Sequence, residues 1–142
     1  MKIKKGAFLL FLFLSLCWGT SFIFPDVLIV ANNETRLTAL KKKEIRDIFT
    51  GKKKRWENNG KIILAVLKKP AVHKQFLRQF VHKTPSQFRN YWREKVFTGE
   101  GTIPRSFKTE KSLIDFVART KGAIGYISFP QNKRVKIVKI VD

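Results

Sequence analysis

The chain has 142 residues, with 30 Lys or Arg against 10 Asp or Glu, a formal net charge of +20 and 44% hydrophobic residues. That length holds one domain, and the apolar share belongs to a packed globular core rather than a disordered basic tail. The single cysteine, Cys17, excludes a disulfide framework and a cysteine-based zinc site, and His73 and His82 are too far apart in sequence to gather a metal.

The chain opens with Lys2, Lys4 and Lys5, followed by an apolar run from Ala7 to Trp18. This is the length expected for the central region of a secretory signal, about 7–15 residues. Gly19, Thr20 and Ser21 then interrupt the run with small side chains. Residues 1–21 are therefore expected to be a signal peptide cut after Ser21, with residues 22–142 as the mature domain. The alternatives are a cut after Gly19, or a retained anchor, since no charge falls between Gly6 and Pro25. Leu16 before Cys17 argues against bacterial lipidation. Removing the leader takes away only three lysines, so the positive excess belongs to the folded part. Such a field draws phosphate, nucleic acid and anionic membrane surfaces at long range, more weakly as salt rises. Export makes nucleic acid an unexpected partner.

Along the mature chain, residues 27–31 form a β-branched run that reads as a buried strand turning at Asn32 and Asn33. From Lys41, the spacing of Ile45, Ile48 and Phe49 predicts a helix ended by Gly51. Residues 52–55 make a basic turn before Trp56, and Asn58, Asn59 and Gly60 make another before a second buried strand over 61–67. Two strands flanking a helix predict a βαβ-like unit in an α/β layer architecture. Pro70 opens an amphipathic helix with Val72, Phe76, Leu77, Phe80 and Val81 on its apolar face. Thr84, Pro85 and Gln87 match an N-cap, a first helical position and a capping-box partner. The helix they start carries Phe88, Tyr91, Trp92 and Val96 on one stripe and ends near Gly99. Residues 98–105 read as an irregular loop. Thr109 caps a further helix running to about Thr120, Gly122 to Ser128 is turn and strand, and 130–133 is a tight connection. Residues 135–141 read as one edge strand with a wet face. Phe49, Trp56, Phe76, Trp92, Val117 and Ile124 are expected in the core.

No nucleophile turn, zinc-protease motif, phosphate-cradling G-x-x-x-x-G-K or dinucleotide fingerprint occurs in the chain. The Gly99/Gly101 and Gly122/Gly125 pairs read as turn geometry. Among the basic residues, Lys68 and Lys69 stand apart because they join a buried strand to a helix start. There, unpaired N–H groups and the positive helix end favour an anion, at the carboxyl end of a strand where open α/β sheets bind ligands.

Ile48-Phe49-x-Gly51-Lys52 with Trp56, then Phe76, Pro85, Gln87 and Trp92, then Val96-Phe97-Thr98-Gly99-x-Gly101-x-x-Pro104, then Thr120-x-Gly122-Ala-Ile-Gly-Tyr126 form a pattern. It resembles the short periplasmic phosphate-binding-protein-like domains, similar to one part of the phosphate-binding subunit of phosphate ABC transporters. The resemblance implies a single-lobe type II periplasmic-binding-protein-like fold, α/β with a small mixed sheet flanked by helices. It also implies no enzymatic activity, no cofactor, and a secreted periplasmic protein that binds an inorganic oxyanion, phosphate foremost, and works with a transporter or sensor. In full-length relatives a Gly/Ser-rich loop leading into a helix helps hold the oxyanion. The corresponding segment here, residues 68–73, reads Lys-Lys-Pro-Ala-Val-His, so that site does not transfer intact. The expected ligand-binding set is Lys68, Lys69, the backbone at Ala71 and Val72, His73 as a donor when protonated, and Thr98 with Gly99 from the following loop. One lobe offers half a cleft, which a homodimer or a partner lobe would complete. The alternative reading is a non-enzymatic interaction protein whose basic face adheres to anionic envelope or protein surfaces.

Overall fold

A computed structural model of the protein describes residues 26–129 and 133–142. The expected leader, and most of the tight connection expected at 130–133, lie outside the described residues. The elements in chain order are β1 (Leu28–Ala31), β2 (Ala39–Lys41), α1 (Lys42–Phe49), β3 (Ile63–Leu67) and α2 (Pro70–Phe76), which runs on into a π-helical turn (Leu77–Val81). Then follow α3 (Pro85–Phe97), β4 (Arg105–Phe107), α4 (Glu110–Arg119), β5 (Ala123–Ile127), β6 (Lys136–Ile137) and β7 (Lys139–Val141). Five strands form one mixed sheet in the order β4-β3-β5-β1-β6, and β2 pairs with β7 in a separate parallel ribbon.

Within the sheet, β3 is parallel to both β4 and β5, whereas β1 is antiparallel to β5. The βαβ-like unit expected from β1, α1 and β3 is therefore corrected, because β5 inserts between those two strands and β1 runs the opposite way. The parallel crossovers instead run from β3 through α2 and α3 to β4, and from β4 through α4 to β5. A reading that joins strands in chain order misses this, because β5 arrives from about sixty residues downstream.

The local signals behave as the sequence chemistry requires. Thr84 Oγ1 accepts from the Gln87 amide at 3.2 Å, and the Gln87 side chain accepts from the Thr84 amide at 2.9 Å. Thr109 caps α4 by accepting from the Ser112 amide. Gly51 ends α1 at φ +72°, with its own amide on the Ile48 carbonyl and the Lys52 amide on Asp47, a Schellman closure that only a residue free of Cβ strain adopts readily. Gly99 closes α3 in the same way, at φ +74°.

All six residues expected in the core are buried. The core centres on Phe49, Phe76 and Tyr126, with the Phe76 and Tyr126 rings stacked at 3.8 Å. Two expectations fail. Val96 is exposed, because α3 turns only Phe88 and Trp92 fully inward and its last turn projects past the core. The single strand expected over 135–141 divides at Val138. Val135 and Val138 are both buried and Ile137 is exposed, because the chain leaves the main sheet after β6 to pair with β2. The short strands β2 and β4 are too brief to leave a periodic signal.

Candidate functional site

Parallel β3, β4 and β5 give the sheet two chemically different edges. At the edge where these strands end, Leu67 pairs with Phe107 and the Lys68 amide donates to the Phe107 carbonyl at 2.7 Å. Lys68 and Lys108 are thus successive to paired residues on neighbouring strands, whose spacing is about 4.8 Å. Lys69 follows as the N-cap of α2. Thr109 caps α4 at the same edge, and Ser128 follows the last residue of β5 there.

The start of α2 is chemically unusual. Lys69 sits at the N-cap in extended conformation with no side-chain hydrogen bond, Pro70 occupies the first helical position, and no acidic residue lies in the first turn. The first-turn amides of Ala71 and Val72 are donors for which an α-helix supplies no acceptor of its own. The other helices are compensated: Thr84 and Thr109 cap α3 and α4, and Glu44 accepts from the Lys41 amide at the start of α1 at 3.0 Å. A helix beginning with a cation at its N-cap and cations beside it has its positive end unneutralised, an arrangement that favours an anion. The nearby carboxylate of Glu110 is buried and already accepts from the Ser128 amide at 2.7 Å and from its hydroxyl.

His73 lies one turn into α2, half-buried against Tyr126 and Phe88. Tyr126 donates its hydroxyl proton to the Leu67 carbonyl at 3.2 Å, so at 2.6 Å it accepts from His73 Nδ1–H. Burial, assisted by the charge of Lys68, pushes the His73 pKa down to about 4. With its pKa held that low, the ring is neutral through the mildly acidic range and gains a proton only nearer pH 4. Its Nδ1–H is spent inside the fold. Tyr126, which touches both the strand end and the helix, is held far above its ordinary pKa by burial.

The structure brings Lys68, Lys69, Ala71, Val72 and His73 together, as chain proximity requires, but not with Thr98 and Gly99. Arg105 pairs beside Ala65, so the loop before it passes the beginning of β3 rather than its end. Lys54 Nζ donates to the Glu100 carbonyl at 2.8 Å, while the Lys54 carbonyl accepts from the Ile62 amide. Both contacts fix the loop at the amino edge of the sheet. Thr98 Oγ1 donates to the Lys95 carbonyl, and Gly99 supplies the left-handed turn, so both serve the end of α3. The residue that sequence reasoning missed is Lys108, which reaches the site through strand pairing across forty positions of chain. Only recognition of the three-residue strand β4 would have revealed it.

The motif glycines are structural too. The Trp56 indole N–H donates to the Gly122 carbonyl at 3.1 Å, joining two motif segments that lie far apart in sequence. At Gly122, a Cβ would stand 2.2 Å from the Lys61 carbonyl oxygen.

A family profile described as the PBP superfamily domain matches residues 17–142. The chain is also similar to several solved structures. One is a protein assigned as a phosphate ABC transporter substrate-binding protein, with bound phosphate, from Clostridium perfringens, at 20% identity and TM-score 0.61 over 80% of this chain and 44% of that one. An ABC-type phosphate transport receptor from Vibrio cholerae shares 15% identity, at TM-score 0.56, over 80% of this chain and 45% of that chain. PstS from Borrelia burgdorferi shares 16%, at TM-score 0.59, over 80% and 46%. The chain spans under half the length of each, and at these identities the likeness shows the fold. No curated protein matches the chain at a significant level.

Proposed function

The chain belongs to the PBP superfamily domain family, and from that premise we propose that it is a solute-binding-type protein that takes a small inorganic oxyanion, phosphate foremost, at the carboxyl edge of its sheet. The observation that carries this reading is the uncapped start of α2 between Lys68, Lys69 and Lys108. The amides of Ala71 and Val72 supply directed donors and the three ammonium groups supply charge. Lysines on flexible stems neutralise an oxyanion without enclosing it, so the affinity of one lobe is modest. A second lobe, contributed by another copy or by a partner chain, completes the cleft. In this reading the protein is exported, loses residues 1–21, carries out no catalysis, and passes its anion to a membrane transporter or sensor. The phosphate-related names of the structural neighbours support the ligand class.

Calorimetric titration of the exported protein with phosphate and with sulfate tests the site. The Lys68→Ala/Lys69→Ala variant is expected to bind phosphate at least about tenfold more weakly, as loss of charge-assisted hydrogen bonds requires. A Lys52→Ala/Lys61→Ala variant, with the same loss of charge at the amino edge, is expected to bind as before. Equal loss in both variants would reduce the reading to a diffuse field. Weighing the same protein by mass spectrometry checks export, since the expected chain begins at Phe22.

A further inference from the structure

The amino edge of the sheet carries a different surface. Of the large apolar side chains exposed among the described residues, three fall within one eight-residue stretch: Val96 at 37%, Phe97 at 91% and Ile103 at 68% exposure. Phe97 closes the last turn of α3, and Ile103 lies on the far side of the Gly99–Gly101 bend. The bend is held rigidly. The Glu100 amide donates to the Lys95 carbonyl at 2.9 Å, and Lys54 holds the Glu100 carbonyl. The Trp92 ring fills the space beneath, so close that a Cβ on Gly101 would stand 3.2 Å from it. The exposed side chains are therefore displayed on a fixed hairpin-like end rather than on a loose loop.

Beside this end runs a groove of about 500 Å³, floored by Ile62, Ile63, Leu64 and Trp92 and edged by Ile103, Lys54, Lys61 and Arg105. Lys52, Lys61 and Arg105 form no ion pair among the described residues. The carboxylate closest in the chain, Glu100, is engaged by Lys95 at 3.4 Å. The surface thus sets protruding apolar side chains beside cations that no carboxylate neutralises, Lys61 at the groove with Arg105, which also lies over the Phe116 ring at 5.5 Å, and Lys52 just after the Gly51 turn.

We propose that this end of the molecule docks on an anionic phospholipid bilayer, with Phe97 and Ile103 entering the interface and Lys52, Lys54, Lys61 and Arg105 meeting the headgroups. The combination is that of an interfacial anchor, in which apolar insertion and attraction to anionic lipid add together. A second protein copy fits less well. A stable interface buries roughly 800 Å² per partner, whereas an aromatic side chain supplies only about 150–250 Å², and the lysines and arginine edging the groove would face their own kind across a twofold contact.

The test places a local reporter in the full chain, so that any contribution from the apolar N-terminal segment is subtracted. Phe97→Trp and Phe129→Trp variants are mixed with vesicles of brominated phosphatidylglycerol and phosphatidylcholine, and their fluorescence is corrected by that of the unsubstituted chain. The expected result is that brominated anionic vesicles quench the Phe97→Trp signal at least about twofold more than the Phe129→Trp signal. That quenching should fall when Lys52→Ala/Lys61→Ala is added, and should vanish on purely zwitterionic vesicles. It should persist in inorganic phosphate at constant ionic strength, which separates this surface from the carboxyl-edge site. Equal quenching of the two reporters, its loss with phosphate, or a Phe97-dependent dimer in sedimentation without quenching would each overturn the proposal.

Discussion

Trp92 illustrates how one side chain locks several segments together. Its indole N–H donates to the Phe49 carbonyl at 3.1 Å, and its ring edge fits against Gly51 and Gly101, where added Cβ atoms would stand at 2.8 and 3.2 Å. Trp92→Ala is expected to cost about 3–5 kcal/mol, the usual range for emptying a buried aromatic site, read as a lower denaturant midpoint. A midpoint unchanged from the parent would mean that the α3 stripe does not hold the core. His73 gives a pH signature. Its folded pKa, about 4, lies below the ordinary value of 6.5, so unfolding takes up a proton between those two limits. Stability is therefore expected to be fully present above pH 6.5 and to decline as pH falls toward 4. His73→Gln should flatten that slope in urea titrations at a series of pH values. The burial of Trp92 was legible from its place on an apolar stripe. The neutrality of His73 was not, because it is set first by burial, and the rings that bury it, Tyr126 and Phe88, arrive from other elements of the fold.

At the scale of elements, the helix ends divide into two kinds. Those of α3 and α4 are closed at their N-termini by threonines that the sequence displays openly, while α2 begins with Lys69 and no cap. A helix left uncapped gives up about 0.5–2 kcal/mol, so Lys69→Ser is expected to stabilise the protein by about 1 kcal/mol as its hydroxyl accepts from the Val72 amide. The same change should weaken phosphate binding beyond the loss seen in Lys69→Ala, because the new cap occupies a donor that the anion needs. Thermal unfolding and titration of the two variants side by side measure both effects. A Lys69→Ser chain that gained stability and kept full binding would show that the α2 amides take no part. Caps and helix starts are local, and for that reason the junction of β3 with α2 could be read from sequence. The partner of that junction could not. Thr98 and Gly99 looked suitable by composition, but strand pairing delivers Lys108 to the edge and leaves the Gly99 bend at the opposite one.

For the whole molecule, the fold class was legible because its motif residues are the ones that geometry constrains most. Gly51 and Gly122 adopt positive φ, and Trp56 ties the first motif segment to the last. The strand order was less accessible, since β5 enters between β3 and β1 from far along the chain and no local pattern announces it. One consequence of the parallel alignment of β3, β4 and β5 concerns orientation. The five residues of β3 separate the two edges by about 16 Å at the usual rise per residue, which is twice the distance of about 8 Å over which physiological salt damps a charged surface. A molecule resting on anionic headgroups through its amino edge would thus hold its other edge beyond their repulsion and facing the aqueous side. Small anions could approach and leave that edge unhindered by the surface beneath.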